Sequence, residues 1–305
     1  MLINDFKKAL IKIHYQCNDN CVFCHAQDKR NSYSLNFYQI VKRIIKAKKL
    51  GAGMILFSGG EPTIHPSFLR IVDFLFADKV PFGLITNGRL LSYKHISQTL
   101  LKKGLKYAYI SLYSFNKKKH DLIARTKGSF EQTIEGLKNL SFYSQNIVII
   151  VNVVVTKFNI DDLRGIIDFL KKFKISKLKF SLVEPKGAAL KNFGKVVPDL
   201  KEAARRINEA MDYGAKNKLS VFYDNLPFCL MKKEFREKKD DLKTNSIFWI
   251  SEVFEDKFYP PDEGYQKKIK KCKGCSYFKR CPGIFVEYAR RKGFKEINPV
   301  KIKKK

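Results

Sequence analysis

"HYQCNDNCVFCHA", residues 14–26, holds three of the chain's seven cysteines, Cys17, Cys21 and Cys24, spaced C-x3-C-x2-C. The run before it, "LIKIHY" (10–15), alternates in hydrophobicity as a half-buried strand does. The thiols therefore sit on a loop leaving a strand. Thiolates suit zinc, copper(I) and iron–sulfur clusters. A closed tetrahedral site takes four ligands. Three on a tight loop can hold three irons of a cubane and leave the fourth open to an external ligand. Zinc completed by His14 or His25 is the rival reading, although His25 directly follows Cys24, which is poor geometry for sharing one ion.

Outward from this loop, apolar β-rich runs alternate with helix-period segments. A helix is expected over 34–51, with Ser34 as N-cap and Gly51 as stop. Strand "GMILFS" (53–58), a helix near 66–78, strand "FGLIT" (82–86), a helix near 92–103 and strand "YAYISLYS" (107–114) follow. Then come a helix near 129–144, strand "IVIIVNVVV" (147–155) and a helix near 161–173. Strand "KLKFSLVE" (177–184), a helix near 199–217 and strand "LSVFY" (219–223) complete the series. Strands regularly separated by helices predict βαβ units and a parallel sheet. The number of units predicts an α/β fold, a partial (β/α)6 TIM-like barrel. Polar or Gly-rich motifs recur after the strands: the cysteine loop, "SGGEP", "TNGR", "SLYS" and "EPKG". Loops after the strands build the active face of such a barrel, so these motifs point at one site.

The chain has 305 residues, enough for one large α/β domain with an appendage. No segment has the apolar length of a membrane span or the form of a secretory signal, which points to a soluble cytoplasmic protein. An odd cysteine number in such a chain argues against disulfide pairing. The formal net charge is +31. A basic surface attracts nucleic acid or phosphorylated substrates. Here the lysines are scattered and outnumber arginines, which favours a compositional origin over a recognition patch.

The cysteine loop resembles the signature of radical S-adenosylmethionine (SAM) enzymes, with Phe23 just before the last cysteine, where that family places an aromatic. The resemblance implies that Cys17, Cys21 and Cys24 hold a [4Fe–4S] cluster and that SAM chelates its fourth iron. Reductive cleavage of SAM then yields a 5′-deoxyadenosyl radical that takes a hydrogen atom from substrate. "FSGGEP" (57–62) is similar to the family's GGEP motif: Gly59 and Gly60 let backbone approach SAM, and Glu61 sits near the methionine amino group. By the same resemblance Asn87 in "LITNG" approaches the cofactor, Ser111 approaches the ribose and Arg125 pairs with the SAM carboxylate. Asn152, inside the fifth strand, either reaches the cofactor or is satisfied by backbone. Glu184 and Tyr113 stand near strand ends and are substrate-contact candidates.

Beyond residue 224 the pattern becomes charged and irregular. Cys272, Cys275 and Cys281 form C-x2-C-x5-C, with Cys229 upstream. This resembles the twitch/SPASM auxiliary-cluster module. The division is therefore 1–223, a radical SAM core, and 224–305, a small cysteine-rich Fe–S module needing a metal staple. Four cysteines match one auxiliary [4Fe–4S] cluster, with structural zinc as rival. A fully ligated cluster suits electron transfer, hence a net oxidation. The implied substrate is a peptide or small metabolite, with an electron donor such as ferredoxin or flavodoxin. The alternatives are a tRNA or other nucleic-acid substrate, or a non-catalytic electron carrier.

Overall fold

Seven strands supply most of the sheet: β1 (Lys8–His14), β2 (Met54–Gly59), β3 (Phe82–Thr86), β4 (Leu105–Ser111), β5 (Val148–Val155), β6 (Lys177–Leu182) and β7 (Val221–Asp224). The computed structural model describes residues 7–238, 248–250 and 265–301. Helices α1 (Phe37–Lys49), α2 (Phe68–Ala77) and α3 (Lys94–Lys102) fill the first three crossovers. The fourth holds α4 (Lys117–Ala124) and α5 (Ser129–Ser141), and the fifth α6 (Leu163–Leu170). The sixth carries two short helices, α7 (Gly187–Lys191) and α8 (Phe193–Val196), before α9 (Leu200–Lys216). Each strand lies parallel to its sequence neighbour, as helical crossovers require.

Along each strand successive side chains belong to different cores. Ile11, Phe57, Phe82, Ile110, Val151 and Phe180 join the large core shared with the helices. Their neighbours Leu10, Leu56, Tyr109 and Ile150 form a smaller cluster on the other face. Period-two alternation between two buried faces is what a curved, barrel-like parallel sheet produces. The inner face also takes two charged residues. Lys8 and Lys179 are buried, their amines about 5 Å from the Tyr107 and Tyr109 rings (5.0 and 4.9 Å).

Several boundaries differ from the sequence reading. Asn36, not Ser34, caps α1: its side chain accepts from the Gln39 amide while the Gln39 side chain returns to the Asn36 amide. Ser34 instead bridges His14. Strand β4 ends at Ser111, so Tyr113 lies in the following loop. Helix α4 was not foreseen, being short and rich in lysine at its start. An eighth strand, β8 (Phe248–Ile250), pairs parallel with β1 at the sheet edge.

The C-terminal segment adds a two-stranded ribbon, β9 (Gln266–Lys267) and β10 (Ile284–Phe285), and α10 (Val286–Lys292). Ile284, Phe285, Tyr288 and Ile297 belong to the same apolar core as the barrel helices. Glu296 accepts from the amides of Leu200 and Lys201 (3.3 and 2.8 Å), closing the exposed N-terminus of α9. The change of pattern at 223/224 is thus a change in chain character, and the packing continues across it. No described helix is long and apolar enough to cross a membrane.

Candidate active site

The cysteine loop leaves β1 at the C-terminal mouth of the barrel and is held from four sides. The Gly60 amide donates to the His14 carbonyl (2.7 Å) and the Glu61 amide to the Gln16 carbonyl (2.8 Å). The amides of Asn20 and Val22 donate to the carbonyls of Ala124 and Ile123, both at 2.9 Å. The Ala188 amide donates to the Cys24 carbonyl (2.9 Å). Arg89 donates to the Asp19 carboxylate (2.8 Å), the Asn18 carbonyl (2.5 Å) and the Gln132 side chain (2.6 Å). The segments that follow β2, β3, β4 and β6 therefore grip one stretch of chain, from His14 to Cys24.

The glycines of the β2 loop owe their identity to this stitching. Gly59 has φ +127°, and a Cβ there would stand 2.0 Å from the His14 carbonyl oxygen. A Cβ on Gly60 would stand 2.0 Å from that of Gln16. Both distances are far inside van der Waals contact, so only glycine lets the two loops lie backbone to backbone. Gly187 plays the same part, since its Cβ would stand 2.6 Å from the Cys24 oxygen.

Glu61 is buried and its carboxylate is fully engaged. It accepts from the Thr63 amide and hydroxyl (3.1 and 2.6 Å), the Thr86 hydroxyl (2.8 Å) and the Asn87 amide (2.7 Å). Burial raises its pKa, and these donors pull it back. The side chain thus locks the β2 and β3 loops together, a positioning role. The Asn87 side chain continues the network, donating to the Asn18 side chain (2.7 Å). His14, wholly buried, meets the Glu61 carbonyl through Nε2 (2.8 Å). Burial lowers its pKa, so the neutral form is favoured and Nε2–H donates.

Of the three thiols, Cys21 is buried and Cys17 and Cys24 are half-buried. Burial pushes the Cys17 thiol up to about 12 and raises Cys21 further. They are thiols until a metal displaces their protons. The Asp19 amide donates to the Cys17 sulfur (3.4 Å), and the Cys21 thiol donates to the Tyr113 hydroxyl (3.4 Å). Phe23 packs edge-on against Tyr113, with centroids 5.1 Å apart. Ser111 ends β4 two residues before Tyr113, in register with Asn152. The Asn152 side chain accepts from the Ser181 hydroxyl (2.8 Å). Arg125 follows Ala124 as a left-handed helix cap and is exposed, its guanidinium in no ion pair among the described residues. Glu184 pairs with Lys186 (2.7 Å). Sequence reading missed Asp19 and Arg89, whose ion pair spans 70 residues, because nothing in either local stretch marks the other as its partner.

At the other end, Cys229, Cys272, Cys275 and Cys281 line one apolar pocket with Phe228 and Ile269. Burial lifts the Cys229 thiol to about 11, and the three other cysteines add to the rise. Among the described residues no three His, Cys, Asp or Glu side chains converge on a single-ion site. Three soft thiols on one loop and four around an apolar pocket are donor sets that suit iron–sulfur clusters.

The Radical SAM superfamily model matches residues 11–170, more than half of the chain. The chain is 23% identical over 296 residues to an uncharacterised protein of Methanocaldococcus jannaschii, covering 90% of this chain and 96% of that one. It is 25% identical over 260 residues to a probable GTP 3′,8-cyclase of Methanocella arvoryzae, covering 79% and 82%. Among solved structures, Streptococcus suis SuiB bound to its precursor peptide SuiA superposes with a TM-score of 0.66 at 16% identity, covering 94% of this chain and 74% of that one. The stitched cysteine and glycine loops at the mouth of a parallel partial barrel are those of an enzyme family, and this chain belongs to the radical SAM superfamily.

Proposed function

We propose that this enzyme reductively cleaves SAM and oxidatively modifies a peptide or small-metabolite substrate, with one auxiliary [4Fe–4S] cluster in the 224–305 twitch/SPASM-like module. The observation that carries the reading is the backbone joint between "SGGEP" and the cysteine loop, which sets a three-thiol site beside glycine backbone and Asn87. When bound, the cluster and SAM together supply one-electron C–S cleavage and hydrogen-atom abstraction. Cys17, Cys21 and Cys24 hold that cluster. Gly59 and Gly60 present backbone to SAM, while Glu61 holds the β2 and β3 loops in place around it. Phe23, Asn87 and Ser111 line the same mouth. Arg125, exposed and without a carboxylate partner among the described residues, is a cation available to the SAM carboxylate. Cys229, Cys272, Cys275 and Cys281 hold the second cluster, which suits removal of an electron during a net oxidation.

The peptide substrate is supported by the likeness to SuiB in its peptide complex, and the small-metabolite substrate by the sequence likeness to a GTP cyclase. The test is anaerobic reconstitution with iron and sulfide counts, followed by a 5′-deoxyadenosine assay after reduction. About eight irons per chain and release of 5′-deoxyadenosine are expected. About four irons would remove the auxiliary cluster, and no SAM cleavage would leave an electron carrier. A tRNA gel shift across a salt series, expected to show no salt-sensitive binding, addresses a nucleic-acid substrate.

A further inference from the structure

Tyr113 is not one of the residues that the cofactor-binding motifs account for, yet its hydroxyl is hydrogen-bonded to a cluster thiol. It is 5% exposed, and its oxygen lies 3.4 Å from the Cys21 sulfur. That sulfur is the hydroxyl's only hydrogen-bond partner among the described residues. The ring is fixed on both sides. It stacks on His120 with centroids 5.0 Å apart and 23° between planes, and it meets Phe23 edge-on. The Asn159 side chain donates to the Tyr113 backbone carbonyl (2.8 Å), which fixes the loop as well. The hydroxyl thus has one partner and little freedom to find another.

In the metal-free chain the thiol is the donor. A cysteine bound to iron has no proton, so the same contact can persist only with the hydroxyl as donor and the sulfur as acceptor. Hydrogen bonds to ligating sulfurs are among the factors that set a cluster's reduction potential, because they withdraw charge that accumulates on reduction. The contact is unequal among the three ligands. Cys17 receives a backbone N–H from Asp19, and Cys21 faces the tyrosine.

Building on the functional reading above, we propose that Tyr113 donates its hydroxyl to the Cys21 sulfur in the loaded enzyme and raises the reduction potential of the SAM-binding cluster. It is a positioning residue for the electron-entry step and touches no substrate in this role. A modest reductant can then load the cluster that a bare thiolate site would leave oxidised.

The test is potentiometry monitored by electron paramagnetic resonance on the full chain, comparing wild type, Tyr113→Phe and the chain with 3,5-difluorotyrosine at position 113. Tyr113→Phe removes one oxygen and keeps the ring stack. Its reduced-to-oxidised ratio at fixed potential is expected to fall on the order of tenfold, equivalent to about 59 mV for one electron. The more acidic fluorinated hydroxyl is a stronger donor and is expected to shift the ratio the opposite way. A packing defect would move both variants in one direction, and that result overturns the proposal. So does a potential unchanged within about twofold in a variant with wild-type iron content. Wild-type protein that takes up no SAM-binding cluster overturns the functional reading first, and this inference with it.

Discussion

The two cysteine sites are built in opposite ways. The three thiols of residues 17–24 are contiguous in sequence, yet their loop is held by partners from the β2, β3, β4 and β6 loops. The four thiols at the other end come from residues 229 to 281, yet much of their backbone support is local. Cys275 bonds to Cys272 (2.9 Å) and Cys281 to Tyr277 (2.8 Å), within tight turns. The first arrangement draws its rigidity from the barrel and can leave a coordination position open. The second draws less from its surroundings, which fits the proposal that a cluster of its own completes it.

The sharpest way to break the comparison is to remove one thiol from each site. Cys24→Ala is expected to lower 5′-deoxyadenosine release by more than about 100-fold, since the ligand set is lost. Cys275→Ala is expected to keep that release within a few-fold, while iron falls from about eight to about four and substrate oxidation stops. Equal loss of SAM cleavage in both variants would join the two sites into one functional unit.

Gly60→Ala comes next. The new methyl must displace the Gln16 and Tyr15 carbonyls. Unfolding is expected to be easier by about 3 kcal/mol, with SAM binding by calorimetry lost before the fold is.

A third prediction sharpens the contrast in burial. His120 stacks on Tyr113 and is wholly buried, and burial lowers its pKa from 6.5 to about 4. The unfolded chain therefore binds more protons than the folded one between those values. Stability rises with pH across that window and is lost as pH falls from about 6.5 toward 4. The loss is on the order of 3 kcal/mol, read from urea midpoints against pH. His120→Gln is expected to flatten that part of the profile, and no counterpart exists among the described residues of the C-terminal site. The smallest effect belongs to Gly274→Ala. Nothing lies within 4 Å of a Cβ there, and stability is expected to change by less than about 0.5 kcal/mol. A large loss in that variant would mean that the C-terminal turns are as tightly gripped as the barrel loop.

Much of this architecture is legible in the sequence. Phe82–Thr86 fell where its apolar run placed it, and the other six barrel strands within a few residues, because strand periodicity is local. Helix α1 shows the limit of such reading. Ser34 and Asn36 both stand near its start, and choosing Asn36 as cap required knowing that Ser34 was bridged to His14. Glu61 shows a second limit. Its place in "SGGEP" was readable, but the four donors that occupy its carboxylate come partly from residues 86 and 87. Arg89 and Asp19 carried no local signal of being partners.

The order of strands, the cysteine spacing and the glycines of the β2 loop follow from residue type, since periodicity, ligand softness and a missing Cβ are properties of short segments. The tertiary structure alone decided that Tyr113 meets Cys21, that β8 pairs with β1 and that Glu296 caps α9, and it set Cys229 in one pocket with the three cysteines the sequence had already grouped with it. Each is a contact between segments far apart in the chain, and only the packing of the whole core selects among the many partners such groups could take.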